Sequence, residues 1–275
     1  MSHAFLASRL SPLASRLSPN VTLTLAALCG FAFLAGFVDA VVGGGGLIQI
    51  PALFVLMPQL PPALLFGTNK FASVWGTLSA AVQYARSVPI VWRTVLPAAA
   101  AALLCSFIGA HTVSAIQPAL LRPLILVLLL VALGYTLWKK DFGALHAPHL
   151  SHARQFWFGL ATGAVIGFYD GFFGPGTGSF LIFAFVGLFG FSFLAASASA
   201  KVVNVVTNLA ALAYFGSHGD VLYATALPMA ACNVAGSLAG SRLALRRGSG
   251  FVRGLFIVVV GALIARFAYD IFGRN

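Results

Sequence analysis

Four ionisable residues lie within or beside strongly apolar sequence, and they recur at a single spacing. Asp170 follows Asp39 by 131 positions, and Lys201 follows Lys70 by the same interval. An ion in hydrocarbon costs roughly 2.5–3.5 kcal/mol even on the mildest scale, so four such residues need a reason. An ammonium group can hold an anion, and a buried carboxylate can carry a proton or balance the ammonium charge. The four residues therefore predict a charged site inside a membrane-embedded helix bundle.

Each of the two lysines begins a polar helix face. The residues at positions i+3 and i+7 after each lysine are polar, and in a helix these positions share one side. We interpret the two faces as the substrate-binding lining of a pathway for an anion. The alternative is structural: the lysines neutralise the two aspartates and hold the bundle together. The faces consist of Lys70, Ser73 and Thr77 in the first half, and of Lys201, Asn204 and Asn208 in the second.

A glycine-rich break follows each aspartate by four residues. Exposed backbone N–H groups and the positive end of the helix that follows both favour a negative charge. Close packing of helices is the alternative explanation for the glycines, but two breaks at matched positions favour contact with a substrate. The glycines expected to contact substrate are Gly43, Gly44 and Gly45 in the first break, and Gly174 and Gly176 in the second.

The aspartates and histidines do not form a pattern that is typical of an enzyme or a metal site. Asp39 and Asp170 have two interpretations, proton coupling and charge balance for the lysines. The apolar segments contain no convincing nucleophile with a base and no cluster of metal ligands, so we predict neither an enzyme nor a metal or other cofactor. His146, His149 and His152 are spaced by three in a central loop, and we interpret them as solvated.

Composition places the chain in a membrane. Of its 275 residues, 60% are hydrophobic and only 8% are charged, and the mean hydropathy is +0.98. This balance predicts a polytopic membrane protein. The net charge of +11 comes mainly from Arg and Lys in short loops between apolar segments, which the positive-inside rule explains better than nucleic-acid binding. The lipid bilayer is therefore an expected partner, and nucleic acid is not.

Ten apolar segments can be drawn along the chain, five in each half. The second segment of each half has about twelve residues, which as a helix span about 18 Å, while the hydrocarbon core is about 30 Å thick. We therefore predict an all-α polytopic fold with about eight to ten transmembrane segments and one short broken or re-entrant helix in each half. The segments lie near 21–42, 47–57, 63–85, 94–116 and 118–138, and near 155–173, 179–191, 194–216, 222–245 and 250–272.

The spacing of 131 residues extends beyond the charged residues and predicts an internal duplication. Leu96-Pro97 matches Leu227-Pro228, for example. Internal repeats are a common plan for secondary transporters. We divide the chain into a flexible N-terminal lead (1–20), a first membrane repeat (21–138), a central loop (139–153) and a second membrane repeat (154–275).

Loop charges predict that the two repeats have opposite orientations. Arg86 and Arg93 flank one short loop of the first half, while the matching loop near 217–224 has no Arg or Lys. The loop near 111–122 has Arg122 alone, and its counterpart holds four arginines. Such an exchange of charge fits inverted repeats, with the N-terminus outside and the Arg86 loop in the cytoplasm.

Four strings of the sequence resemble the sulfite exporter TauE/SafE family of membrane permeases. The first half contributes GFVDAVVGGGGLIQIP, which starts at Gly36, and GTNK, which ends at Lys70. The second half contributes GFYDGFFGPGTGSF, which starts at Gly167, and KVVNVVTN, which starts at Lys201. The string from Gly167 is the most specific of the four, and the resemblance covers nearly the whole chain.

The resemblance implies a secondary transporter of the bacterial inner membrane for sulfite, organosulfonates or related small anions. This agrees with the small anion that the lysines and glycines predict by themselves. An anion channel built from the same residues is the alternative, and assembly into a homo-oligomer is left open. The sequence has no nucleotide-binding motif, so we do not expect this chain to use ATP.

Overall fold

A computed structural model describes residues 20–112, 148 and 150–272, and every regular element in these ranges is an α-helix. Four of the helices lie in residues 20–112, and four lie in residues 150–272. They are α1 (Asn20–Val42), α2 (Gly46–Leu56), α3 (Pro62–Ala85), α4 (Trp92–Thr112), α5 (His152–Phe172), α6 (Thr177–Gly187), α7 (Phe193–Ser217) and α8 (Tyr223–Phe272).

The helices agree with the predicted segments within a few residues. The predicted segments near 222–245 and 250–272 correspond to two helical stretches of α8 that are separated by a kink at Gly248, which has φ 75° and ψ −171°. The predicted segment near 118–138, most of the central loop and residues 1–19 lie outside the described residues.

Local chemistry accounts for several helix starts. Ser192 precedes α7, and its Oγ accepts a hydrogen bond from the N–H of Ala195 at 3.3 Å, which caps the helix. Proline at the first position begins α3, where its missing N–H costs nothing. The two short helices, α2 and α6, each begin directly after a glycine.

Three of the described helices are long and apolar enough to cross a membrane: Thr22–Val42, Trp92–Thr112 and Phe193–Ser217. The short helices α2 and α6 have 11 residues each, and a helix of that length spans only about 17 Å. Large apolar side chains such as Leu104 and Val165 are more than half exposed on the outside of the bundle. This apolar exterior suits contact with lipid.

Glycines at every fourth position of α5 pack closely against α4. Added Cβ atoms at Gly159, Gly163, Gly167 and Gly171 would meet the α4 backbone at Thr94, Ala98, Ala102 and Ser106 in turn. Small residues at this spacing let two helix backbones approach closely within a membrane. Because residue numbers rise together on both helices, α4 and α5 run parallel.

The helices α1 and α8 make the corresponding contact. Gly236 faces the Phe33 carbonyl, and Gly240 faces the Phe37 carbonyl, so these two helices also run parallel in close contact. In both parallel pairs, the first helix of one half packs against the fourth described helix of the other half.

The two lysine-bearing helices, α3 and α7, lie between those pairs and run antiparallel. The N–H of Leu222, just after α7, donates to Oγ1 of Thr68 near the start of α3 at 3.0 Å. Further along α3, Thr77 and the α7 residue Lys201 both donate to Asp39. The α7 helix is mostly buried, so its polar face points into protein rather than lipid.

Candidate functional site

The two glycine breaks bend the chain sharply between a long helix and a short one. Gly43 has φ +78°, Gly174 has φ +88° and Gly176 has φ +85°. Glycine adopts this left-handed region without the steric cost that other residues meet. The N–H of Gly43 donates to the carbonyl of Asp39 at 2.9 Å, which closes the last turn of α1.

The two breaks cross in direct backbone contact. A Cβ atom added to Gly43 would overlap the backbone of Gly178, and one added to Gly178 would overlap that of Gly43. The N–H of Ser179 donates to the Gly43 carbonyl at 3.1 Å. The irregular backbone of one half is therefore covered by the other half, which is the setting in which such backbone is tolerated at membrane depth.

The buried lysines and aspartates pair across the two halves. Lys70 Nζ lies 2.6 Å from Asp170 Oδ2, and Lys201 Nζ lies 2.9 Å from Asp39 Oδ2. Asp39 Oδ2 also accepts a hydrogen bond from Thr77 Oγ1 at 3.3 Å. Each ion pair therefore takes its lysine from one half of the chain and its aspartate from the other.

A small polar cavity lies where the breaks and the ion pairs meet. It offers about 30 Å³ to the centre of a water-sized sphere, and one water needs about 10–15 Å³ on that measure. The space therefore holds roughly two waters. Its lining consists of Asp39, Gly43, Gly45, Gly46, Asn69, Lys70, Ser73, Thr77, Asp170, Gly174, Thr177, Gly178, Asn204, Asn208 and Asn233.

Most of the residues that the sequence singles out come together in this lining, and three do not. Lys201 is wholly buried away from the cavity, and Gly44 and Gly176 are also absent from its wall. The assignment of substrate binding to the predicted residues stays a prediction. The predicted residues that line the cavity are Lys70, Ser73, Thr77, Asn204, Asn208, Asp39, Asp170, Gly43, Gly45 and Gly174.

Two asparagines of the wall were missed from the sequence. The Nδ2 of Asn233 donates to Oε1 of Gln49 at 2.9 Å, which joins α8 to α2. Asn69 is 4% exposed, and its Oδ1 has no hydrogen-bond partner among the residues that the structure describes. The position of Asn69 directly before Lys70 offered a signal, while nothing in the pattern around Asn233 distinguishes it from other residues of α8.

The short helices add positive potential to the cavity. Gly45 and Gly46 at the start of α2, and Thr177 and Gly178 at the start of α6, all belong to its wall. A helix N-terminus has a partial positive charge, although most of the first N–H groups of α2 and α6 already donate to backbone carbonyls. With two ammonium groups balanced by two carboxylates, this potential and the asparagine amides are what remain to attract an anion.

The described residues bring no three His, Cys or Asp side chains together as ligands for a metal ion. Of the three loop histidines, His146 and His149 lie outside the described residues, and His152 begins α5.

The sequence matches the family model described as Sulfite exporter TauE/SafE over residues 28–267. It is 35% identical over 246 residues to a probable membrane transporter protein of Haemophilus influenzae, an alignment that covers 90% of this chain and 95% of that protein. It is 36% identical over 246 residues to probable membrane transporter protein ORF9 of Sinorhizobium sp, covering 90% and 93%.

A third relative, probable membrane transporter protein YfcA of Escherichia coli, is 35% identical over 254 residues, covering 92% of this chain and 93% of that protein. No solved structure matches the chain. The family match and the relatives cover most of the sequence, so the chain belongs to the sulfite exporter TauE/SafE family and is a membrane transporter.

Proposed function

We propose that this TauE/SafE family transporter is a multi-pass permease of the bacterial inner membrane that moves a small anion, such as sulfite or an organosulfonate. The observation that carries the proposal is Lys70, a buried ammonium group that lines a polar cavity beside the starts of two short helices. The proposal includes no catalytic step, and it names no cofactor.

The wall of the cavity suits an oxyanion. Lys70 supplies the charge, and the amides of Asn204 and Asn208 and the hydroxyl group of Ser73 supply hydrogen-bond donors. Charge-assisted hydrogen bonds of this kind are about twice as strong as neutral ones. These contacts support an anion with several oxygens rather than an apolar or cationic substrate.

The small volume of the cavity supports a carrier that alternates between two open states. The cavity has room for roughly two waters, so we expect the helices around it to separate when an anion enters and when it leaves. The crossed backbones of Gly43 and Gly178 close the centre of the bundle. Secondary transporters built from repeats move substrate by rocking one part against another around such a central site.

We also propose that residues 21–138 and 154–275 are inverted repeats related by a pseudo-two-fold axis. Several contacts between the halves occur twice. In the second copy of each contact, both residues are replaced by their counterparts 131 positions away. A two-fold axis produces such exchange, and the antiparallel run of the counterparts α3 and α7 fits an axis that lies in the membrane plane. These contacts are Lys70–Asp170 with Lys201–Asp39, Ser106–Thr207 with Ser237–Gly76, and Gly109–Phe168 with Gly240–Phe37.

Cysteine labelling tests the inverted arrangement. Ser87 and His218 are exposed and follow the ends of α3 and α7. In a background without Cys29, Cys105 and Cys232, we expect Ser87→Cys to react with an impermeant maleimide only from the cytoplasmic side, and His218→Cys only from outside. Labelling of both cysteines from the same side would contradict inverted repeats.

Transport into liposomes tests the function. We expect the purified protein to accumulate at least one of sulfite, thiosulfate, sulfoacetate, taurine or sulfate with saturable kinetics. We expect Lys70→Ala to reduce that flux at least tenfold, because the anion loses its ammonium partner. Arg86→Ala is the matched control, since Arg86 is an exposed cation just after the end of the same helix.

The result that would contradict this proposal is normal flux in folded Lys70→Ala protein. Flux that does not saturate, with single-channel conductance in planar bilayers, would instead favour the anion channel. If none of the five compounds moves in the wild-type protein, the substrate class itself is wrong.

A further inference from the structure

The charges of the site already cancel before any substrate arrives. Two ammonium groups and two carboxylates form two ion pairs in the centre of the bundle. A single anion added to this set would leave one negative charge without a partner in surroundings of low dielectric constant. Charges buried in that way are strongly unfavourable, and ionisable groups change protonation to avoid them. Binding of an anion therefore calls for a compensating proton.

Only one of the two ion pairs can exchange its carboxylate for a substrate. Lys70 and Asp170 both line the cavity, so an anion there can reach the Lys70 ammonium group directly. Lys201 has no exposed side-chain surface and takes no part in the cavity wall. An anion in the cavity therefore meets Lys70 and not Lys201.

The partner of Lys201 is also held more firmly. Asp39 Oδ2 accepts hydrogen bonds from Lys201 on α7 and from Thr77 on α3. Within the described residues, Lys70 alone donates a hydrogen bond to the Asp170 carboxylate. Release of Asp39 would break contacts to two helices, whereas release of Asp170 breaks one contact that the substrate replaces.

We propose that Asp170 takes up one proton when the substrate anion replaces it on Lys70, so that anion and proton cross the membrane together. This inference rests on the proposed function and identifies its coupling ion. The proton comes from water on the side to which the cavity opens and forms an O–H bond on the Asp170 carboxyl group. The Lys70 ammonium keeps its charge and exchanges a carboxylate partner for the anion.

The groups around Asp170 are consistent with this assignment. Lys70 of α3 is its ion-pair partner, and Tyr169 on its own helix interacts with it electrostatically while donating its hydroxyl proton to the Pro175 carbonyl. Asp39, paired with Lys201 of α7, also faces the cavity. The helix α4 carries Cys105 and His111 towards its end, and α6 carries no titratable side chain. Within the cavity wall, Asp39 is the one other carboxylate that could take the proton.

The charge balance also defines the substrate class. One anion with a single negative charge and one proton leave the total charge of the site at zero. A dianion with one proton would leave the site with a net charge of −1. The site therefore selects singly charged oxyanions, such as hydrogensulfite or a monosulfonate, over dianions such as sulfate, and it moves no net charge per cycle.

The experiment uses the full-length protein in liposomes that contain a pH-sensitive dye. Methanesulfonate is the probe because its single charge does not change with pH, and sulfite is tested beside it against protein-free liposomes. We expect inward flux of methanesulfonate to acidify the lumen by one proton per anion. We expect the initial rate to fall as the external pH rises from 5 to 8, and to be unaffected by an imposed membrane potential.

Two variants then distinguish the carboxylates. We expect Asp170→Asn to keep exchange of internal for external methanesulfonate, at a rate independent of pH, while losing lumen acidification. Asp39→Asn should keep the pH dependence and the coupled proton in whatever flux remains. Acidification that survives in Asp170→Asn, or is lost only in Asp39→Asn, would overturn the assignment.

The wild-type protein keeps the proposal testable if a variant fails to fold. Flux of methanesulfonate or sulfite without lumen acidification, or flux driven by membrane potential alone, would refute proton coupling while leaving the permease intact. If the wild-type protein moves neither anion, the proposed function fails instead.

Discussion

The two buried ion pairs are built alike and differ in what they face. Lys70–Asp170 and Lys201–Asp39 connect positions related by the same spacing, and each joins the two halves. Both members of the first pair line the cavity, whereas the second pair presents only its carboxylate there and seals its lysine completely. We propose that access, rather than the pairing itself, separates a site that exchanges ligands from a contact that holds the bundle together.

The two glycine breaks show a related difference. The last carbonyls of α1 accept hydrogen bonds from side chains on three other helices. These three hydrogen bonds lie directly before the first break. They run from Tyr84 to the Ala40 carbonyl at 2.9 Å, from Ser197 to the Val41 carbonyl at 3.2 Å, and from Ser179 to the Val42 carbonyl at 2.8 Å. In the second break, Tyr169 and Thr177 donate to carbonyls only a few residues away. The carbonyls at the first break are therefore hydrogen-bonded to side chains of three other helices, while those of the second break accept side-chain hydrogen bonds from residues nearby in sequence and the second break meets the first through Gly178.

The largest expected effect comes from removing one lysine at a time. Lys201→Met leaves Asp39 as an uncompensated charge, and the loss of one partner of a buried ion pair costs about 3–5 kcal/mol. Lys70→Met leaves Asp170 in the same cavity wall as Asp39, where water or a proton can relieve either carboxylate. We expect the smaller loss for Lys70→Met because the Lys201–Asp39 pair joins two helices with the help of Thr77, whereas Asp170 has the contact to Lys70. Thermal unfolding in detergent measures both, and equal destabilisation would break the distinction between the pairs.

Double substitutions are the matched controls for this prediction. Replacement of a whole buried ion pair by neutral residues is often nearly neutral for stability. We expect Lys201→Met with Asp39→Asn to recover both folding and part of the transport. We expect Lys70→Met with Asp170→Asn to recover folding alone, because the anion still lacks its ammonium group. Transport by the second double variant would show that Lys70 is structural.

Much of the framework followed from the sequence because it depends on local patterns. The short helices α2 and α6, and the polar faces that begin at Lys70 and Lys201, are set by apolar runs, glycines and residue spacing. The partner of each lysine was not predictable, because periodicity locates a side chain on its own helix but not the helix that it meets. The cross-pairing follows from how α3 and α7 pack against the opposite halves.

Two other features were missed for the same reason. The four glycines of α5 from Gly159 to Gly171 have a regular spacing, but only the structure shows that α4 packs against them. Asn233 lies in the cavity wall because α8 packs on α1, far from it in sequence. Residues that contact across long sequence separations leave no periodic signal in a single sequence.

The smallest expected effect concerns the anchoring of the two breaks. Ser179→Ala leaves the Val42 carbonyl without its side-chain donor, which typically costs about 1–3 kcal/mol. Hydrogen–deuterium exchange should already be faster at residues 174–178 than at residues 43–46 in the wild-type protein, because the side-chain hydrogen bonds to the second break come from residues close in sequence, although Gly178 contacts Gly43. We expect Ser179→Ala to accelerate exchange at residues 43–46 and to leave the second break unchanged.

Thr177→Ala is the comparison, because its lost hydrogen bond to the Gly174 carbonyl is local. It should accelerate exchange only at residues 174–178. If either substitution accelerates both segments equally, the crossed breaks open as one unit, and the second break cannot move by itself to release Asp170 from Lys70.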